Sequence, residues 1–190
     1  MRTVEWDYAR GQVRMIDQRL LPGKFEVVSY DDYHQVAEAI RAMVVRGAPA
    51  IGATAAFGLA LAAQTSRAGA ITNLRAELKD AAETLQEARP TAANLAWALK
   101  RVLKVAVETS GSVEDLKEAV LLEAQRIADE DVALNQRMAR HGAMLIDDGD
   151  TLIHHCNTGA LATVDWGTAL GVIDRLGAGT IRHPLRNHQR

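Results

Sequence analysis

Cysteine is almost absent from this chain of 190 residues. Cys156 stands alone, so no intrachain disulfide can form, and the composition fits a reducing compartment. Net charge is nearly absent too: 22 Lys and Arg against 24 Asp and Glu leave a formal charge of −2. That balance carries no signature of nucleic-acid or membrane binding. The opening Met1-Arg2-Thr3-Val4-Glu5-Trp6-Asp7 lacks the apolar run of a signal peptide. The only uncharged stretch of note, Gly47 to Ala63, is short and built mostly of Ala and Gly, the composition of a tightly packed buried helix rather than a membrane span. Neither a Walker loop nor a Gly-x-Gly-x-x-Gly fingerprint occurs, so a nucleotide cofactor has no support. There is no internal repeat and no low-complexity segment. The expectation is a soluble cytoplasmic protein.

What is present reads as an α/β chain in two parts. Thr3–Tyr8 and Gln12–Gln18 are strand-like around a turn at Ala9-Arg10-Gly11, and Phe25–Tyr30 supplies a third strand after the break at Leu21-Pro22-Gly23. Helices follow. Asp31 is the expected N-cap of one with Val36, Ile40 and Met43-Val44 on its apolar face, ending at Arg46-Gly47-Ala48-Pro49. Pro49 suits the first turn of the next helix. Thr72 is the expected cap of a third, which stops at Arg89-Pro90-Thr91 because the residue before proline disfavours helix. A fourth runs from Thr91 with Leu95, Leu99, Val102 and Ala106 inward. After Gly111, Ser112-Val113-Glu114-Asp115 forms a variant capping box that opens a long helix.

Asp147-Asp148-Gly149-Asp150 is a turn, and the pattern changes after it. Thr151–Cys156 is strand-like, Asn157-Thr158-Gly159 is a loop, and a helical run starts near Gly167. Strand, glycine loop and helix in that order open an α/β unit. The expected domains are therefore residues 1–148, a small antiparallel sheet with a helical bundle, and residues 149–190, the start of a second domain.

Three segments could carry chemistry. Cys156 falls at the expected C-terminal end of the strand, the edge where open α/β sheets bind ligands. Following N–H groups could favour a thiolate there, although a buried structural thiol is the plain alternative. Arg46-Gly47-Ala48-Pro49 joins a fixed positive charge to a helix N-terminus, which suits a phosphate. Arg89-Pro90-Thr91 repeats the arrangement, and for either motif alone an ordinary turn with a solvated arginine is the competing reading. His154-His155 beside Cys156 does not make a metal site, because adjacent strand residues point to opposite faces and no second cluster supplies ligands.

Taken together, Met43-Val44-Val45-Arg46-Gly47-Ala48-Pro49-Ala50-Ile51-Gly52, then Arg89-Pro90-Thr91-Ala92-Ala93-Asn94-Leu95, then His155-Cys156-Asn157-Thr158-Gly159-Ala160-Leu161-Ala162-Thr163 resemble, in order and spacing, the methylthioribose-1-phosphate isomerases. Ile127-Ala128-Asp129-Glu130-Asp131, with Asn135 and His141-Gly142-Ala143, resembles that family's long helix. The resemblance runs from about Val4 to Ile173. It implies an aldose–ketose isomerase of methionine salvage, with Arg46, Gly47, Ala48 and Arg89 binding substrate and Cys156 catalytic. It also implies a sugar-phosphate ligand, no metal or organic cofactor, a homodimer in full-length members, and a Rossmann-like second domain that is incomplete here. The aspartate, glutamine and Asn-Lys pair of that domain have no counterparts in this sequence. After Ile173 the tail diverges and carries four arginines against one acid, the ending expected of a frameshifted or truncated gene. The 190-residue chain is accordingly expected to be inactive. Two relatives compete: ribose 1,5-bisphosphate isomerases, and non-catalytic regulatory subunits of the translation initiation exchange factor.

Overall fold

The computed structural model describes residues 2–176. Strands β1 (Val4–Asp7), β2 (Gln12–Ile16) and β3 (Val27–Tyr30) form an antiparallel sheet in that order. Val4 faces Met15 and Trp6 faces Val13 across the first pair, and Met15 faces Val28 across the second. Alternation does the sorting: Val4, Trp6, Val13 and Met15 are buried, while Glu5 and Arg14 pair on the other face at 3.4 Å. The β1–β2 turn closes as expected. Asp7 Oδ1 accepts the N–H groups of Ala9 and Arg10, and Gly11 takes the left-handed φ of +64° that glycine tolerates.

Five helices build the body: α1 (Tyr33–Arg41), α2 (Ala48–Thr65), α3 (Ile71–Ala88), α4 (Ala93–Glu108) and α5 (Val113–Ala143). A sixth, α6 (Ala169–Arg175), packs on α5. By length and composition α2 could cross a membrane, but 78% of it is buried inside this fold. It contacts α1, α3, α4, α5 and the sheet, and Trp6 stacks on its Phe57 at 6.4 Å. A helix apolar all round is the natural centre of such a bundle. Close packing needs its glycines. A Cβ at Gly52 would lie 3.0 Å from the Asn94 carbonyl oxygen of α4, and one at Gly58 would lie 3.0 Å from Leu85 and Val36 side chains.

Several element ends differ from expectation. Asp32, not Asp31, caps α1, its carboxylate accepting the His34 N–H at 2.8 Å. The helix stops at Arg41, short of the expected Arg46 break, because Met43 turns left-handed at φ +60°. Val44 N–H then bonds Ala39 O, and Met43 N–H bonds Ile40 O, which is a Schellman closure with methionine where glycine is usual. Helix α3 starts at Ile71 without a side-chain cap, so Thr72 does not serve as one. Thr91 lies in a turn closed by Ala92 N–H to Arg89 O, and α4 starts at Ala93. The Ser112–Asp115 capping box forms as read.

The expected strand Thr151–Cys156 does not form. The segment is irregular and exposed throughout, since a strand needs a hydrogen-bonded neighbour and the sheet among the described residues ends at β3. The loop and helix after it do form. Expectations about residues 177–190 lie outside the described residues.

Helix α4 is tied to α5 by Arg101. Its guanidinium donates to Glu123, which is 3% exposed, and to Glu130, and it lies 5.5 Å from the Trp97 ring centre. Arg126 also reaches Glu123, at 2.8 Å. The Arg101 hydrogen bond holds the Glu130 carboxyl below its ordinary pKa, and Arg19 does the same for Asp17. For a carboxyl lowered in the folded state, the stabilisation is present above the unfolded pKa and lost as pH falls through the folded one. Stability should therefore decline as pH falls below about 4. Arg101→Ala should cost about 1.5–3 kcal/mol at neutral pH, with a shallower acid limb in urea titrations. An unchanged urea midpoint would show that the network is ornamental.

Candidate anion and thiol site

Three sequence motifs converge on the start of α2. The first ends α1 and begins α2 at Gly47, whose φ of +92° and ψ of +138° suit glycine alone. Space imposes the same choice. A Cβ at residue 47 would fall 2.2 Å from the carbonyl oxygen and 2.3 Å from the Cα of Ala162, so the third motif lies directly on the first. The second motif reaches α2 one turn further in, where Asn94 meets Gly52.

At the start of α2, Pro49 has no N–H, Ala50 is fully buried and the Ile51 N–H bonds Gly47 O, which leaves Ala48 as the exposed residue with an N–H to offer. No side chain caps α2, and Pro49 occupies its first turn, where a missing N–H costs nothing. The leading N–H groups of a helix have no intrahelical partner and carry the positive end of its dipole. Arg46 is exposed beside them and Arg89 is half-buried at the start of the α3–α4 junction. Neither guanidinium forms an ion pair among the described residues. Ala48 is exposed at the helix start. Such an end can hold a phosphate through the Ala48 N–H and a guanidinium fork.

Cys156 is placed otherwise than expected. It is exposed and sits in an irregular segment rather than at a strand end. It also adopts φ +73°, a left-handed conformation uncommon for a residue with a Cβ. His154 Nδ1 lies 3.1 Å from Thr158 Oγ1, and no group of three or more metal-ligating side chains occurs among the described residues.

The loop following Cys156 is far more ordered by contacts than Cys156 itself. Ala160–Ala162 forms a single 3₁₀ turn. Thr3 Oγ1 donates to Ala160 O at 2.8 Å and Gln18 Nε2 donates to Leu161 O at 2.8 Å. Val164 is gripped on both sides: its carbonyl accepts the Thr3 N–H at 2.7 Å, and its own N–H donates to Asp131 Oδ2 of α5 at 2.8 Å. Asn135, 3% exposed, donates to the other Asp131 oxygen. Burial pushes the Asp131 carboxyl above its ordinary pKa, opposed by the Val164 and Asn135 donors. Sequence reasoning noted Asp131 and Asn135 only as part of a helix. Their i, i+4 spacing was the available signal of a shared polar role.

This geometry defines an α-helical bundle with a small sheet, in which the loop that follows the irregular thiol-bearing segment packs on the start of α2 at Gly47. A profile of the Initiation factor 2 subunit family matches residues 44–181, and the chain belongs to that family. Among its relatives, the methylthioribose-1-phosphate isomerase of Syntrophotalea carbinolica is 52% identical, over 88% of this chain and 49% of the relative. That of Geobacter metallireducens is 47% identical, over 90% and 49%. Two crystal structures are also similar. The 5-methylthioribose 1-phosphate isomerase of Pyrococcus horikoshii OT3 gives a TM-score of 0.85 at 46% identity, over 92% of this chain and 48% of the other. The protein described as translation initiation factor eIF-2B subunit delta from A. fulgidus gives 0.83 at 44%, over 92% and 50%. The chain spans about half the length of these relatives.

Gly47→Ala should lower stability by about 1–3 kcal/mol, since it adds both a strained φ and a clash with Ala162. Denaturant unfolding measures it, and a loss within experimental scatter would mean that the Gly47–Ala162 approach relaxes freely.

Proposed function

We propose that this chain carries the phosphate-holding end and the reactive cysteine of an aldose–ketose isomerase acting on 5-methylthioribose 1-phosphate to give 5-methylthioribulose 1-phosphate. The observation that carries the reading is the meeting of the three motifs at Gly47 and Gly52, in a chain 52% identical to a protein named for that activity. Arg46, Gly47, Ala48 and Arg89 bind the substrate, and Cys156 acts on its carbon end. The phosphate takes the Ala48 N–H and the arginine charge, with no metal or organic cofactor. The substrate is a ring locked by its anomeric phosphate. A proton delivered to the ring oxygen breaks its bond to C1 and leaves a cationic C1 that still carries the phosphate; the C2 hydrogen then moves with its electron pair to C1, and the C2 hydroxyl gives up its proton to become the ketone. Cys156 is exposed, so its thiol is open to a ligand, and its left-handed backbone is uncommon for a residue with a Cβ. We place the protein in the cytoplasm as a homodimer, with the domain boundary near Asp148.

A second reading has its own support. One similar structure is described as an initiation-factor subunit, which favours a non-catalytic assembly role. The Cys156-Asn157-Thr158-Gly159-Ala160 stretch weighs against it, because an assembly subunit has no use for a thiol so placed. Isomerisation of ribose 1,5-bisphosphate is the neighbouring chemistry, and a second phosphate in place of the thioether would demand a further basic group.

The test joins this chain in frame to the second half of the S. carbinolica relative and assays isomerisation. Cys156→Ser should abolish turnover with the fold intact. Arg46→Ala or Arg89→Ala should weaken apparent affinity roughly tenfold or more, the effect of removing one charge-assisted contact. Substantial turnover by the serine variant sinks the catalytic assignment. Unchanged affinity in both arginine variants returns them to solvated turns.

A further inference from the structure

Three carbonyls of the loop that covers Gly47 are held by the sheet side of the molecule: Ala160 and Val164 by Thr3, and Leu161 by Gln18. The Val164 N–H is held from the other side, by Asp131 of α5. The loop is therefore suspended between sheet and helix, and Asp131 is the helix's hold on it. The carboxylate cannot wander, because Asn135 fixes its second oxygen at 3.2 Å. Within the loop, Thr163 Oγ1 bonds Ala160 O and Trp166 O at 3.1 and 2.9 Å, and the Val164 side chain is fully buried. A displacement at Val164 is thus transmitted to Ala162, two residues back, and Ala162 lies on the Gly47 Cα. Asp131 makes no ion pair among the described residues. Its partners are an N–H and an amide, and the residue is half-buried between α5 and the loop.

We infer that Asp131 is a positioning residue: by holding the Val164 N–H, it sets the Ala160–Val164 loop against Gly47 and so fixes the anion affinity of the α2 end. The inference rests on the phosphate-binding reading of Arg46 and that helix end. It assigns Asp131 no contact with substrate.

The test uses the 190-residue chain, inorganic phosphate as probe, and amide hydrogen exchange. Wild type is titrated first. A wild-type chain with no saturable phosphate uptake sinks the anion-site reading, and this inference with it, before any Asp131 variant is made. With uptake established, Asp131→Ala should weaken phosphate binding between about tenfold and a hundredfold, the range expected for one lost hydrogen bond to a charged group. Exchange at Val164 should quicken while the amides of Phe57–Leu61 in α2 keep their protection. Asp131→Asn, which retains an acceptor, should restore both readings to within about twofold of wild type. Wild-type affinity in the alanine variant overturns the inference. So does uniform loss of protection across the chain, which a merely structural residue would give, and so does an asparagine variant that behaves like alanine. If the alanine variant does not fold, Asp131→Glu carries the test, because it moves the same carboxylate by one methylene. Weakened phosphate binding with protected α2 amides upholds the inference there, and wild-type affinity overturns it.

Discussion

Everything in this molecule depends on how closely other backbone can approach α2. The helix is surrounded by four others and the sheet, and its glycines are where neighbours come nearest. At Gly52 the α4 backbone is the neighbour, and at Gly58 the side chains of Leu85 and Val36 are. Larger residues there would push α3 and α4 outward and open voids around Phe57, Leu59 and Leu61, all fully buried. The same device at Gly47 has a different result. There the approaching chain is the loop after Cys156, so the packing rule that builds the core also assembles the candidate site. Fold and site share one constraint, the close approach that Gly47, Gly52 and Gly58 allow along α2.

Helix α5 uses its carboxylates in two opposite ways. Glu123 and Glu130 face Arg101 and hold α4 in place by charge. Asp131, the next residue along, turns to neutral donors and holds the loop instead. The pKa directions follow from that difference. Arg101 draws Glu130 down, while Asp131, half-buried and without an ion-pair partner among the described residues, is pushed up by desolvation. Adjacent residues on a helix point about 100° apart, which is how one short stretch serves two neighbours. The paired carboxylates tie α4 to α5, whereas Asp131 ties α5 to the loop.

Local signals made much of this legible in the sequence. Two-residue alternation located the sheet, and its turn needed only Asp7 and Gly11. The capping box at Ser112 fixed the start of α5 to the residue. Errors arose where two local signals competed or where a neighbour decides. Asp31 and Asp32 are both capable caps, and only backbone geometry chooses between them. Met43 in the left-handed region has no sequence signature, because methionine there is enforced by the Val44 and Ala39 closure. Thr151–Cys156 has a strand's composition, but composition does not supply a pairing partner. The site was legible as three motifs and illegible as an assembly. Nothing near residue 47 announces Ala162, and nothing near Val164 announces Asp131.

The two ends of the candidate site are built to different standards, and that difference orders their roles. A group that holds phosphate works by being in place before the ligand arrives, since each donor aimed in advance spares the entropy of aiming it later. The α2 end meets that demand: its glycine is fixed by conformation and by contact, and its covering loop is gripped from the sheet and from α5. The thiol end does not depend on it. Cys156 lies upstream of those grips, exposed, with Thr158 tied back through the Thr168 N–H. Thr158 marks the boundary between that exposed segment and the loop that the sheet and α5 grip. On the proposed reading, binding and chemistry fall on separate elements, so a change at Cys156 is expected to leave the helix end intact.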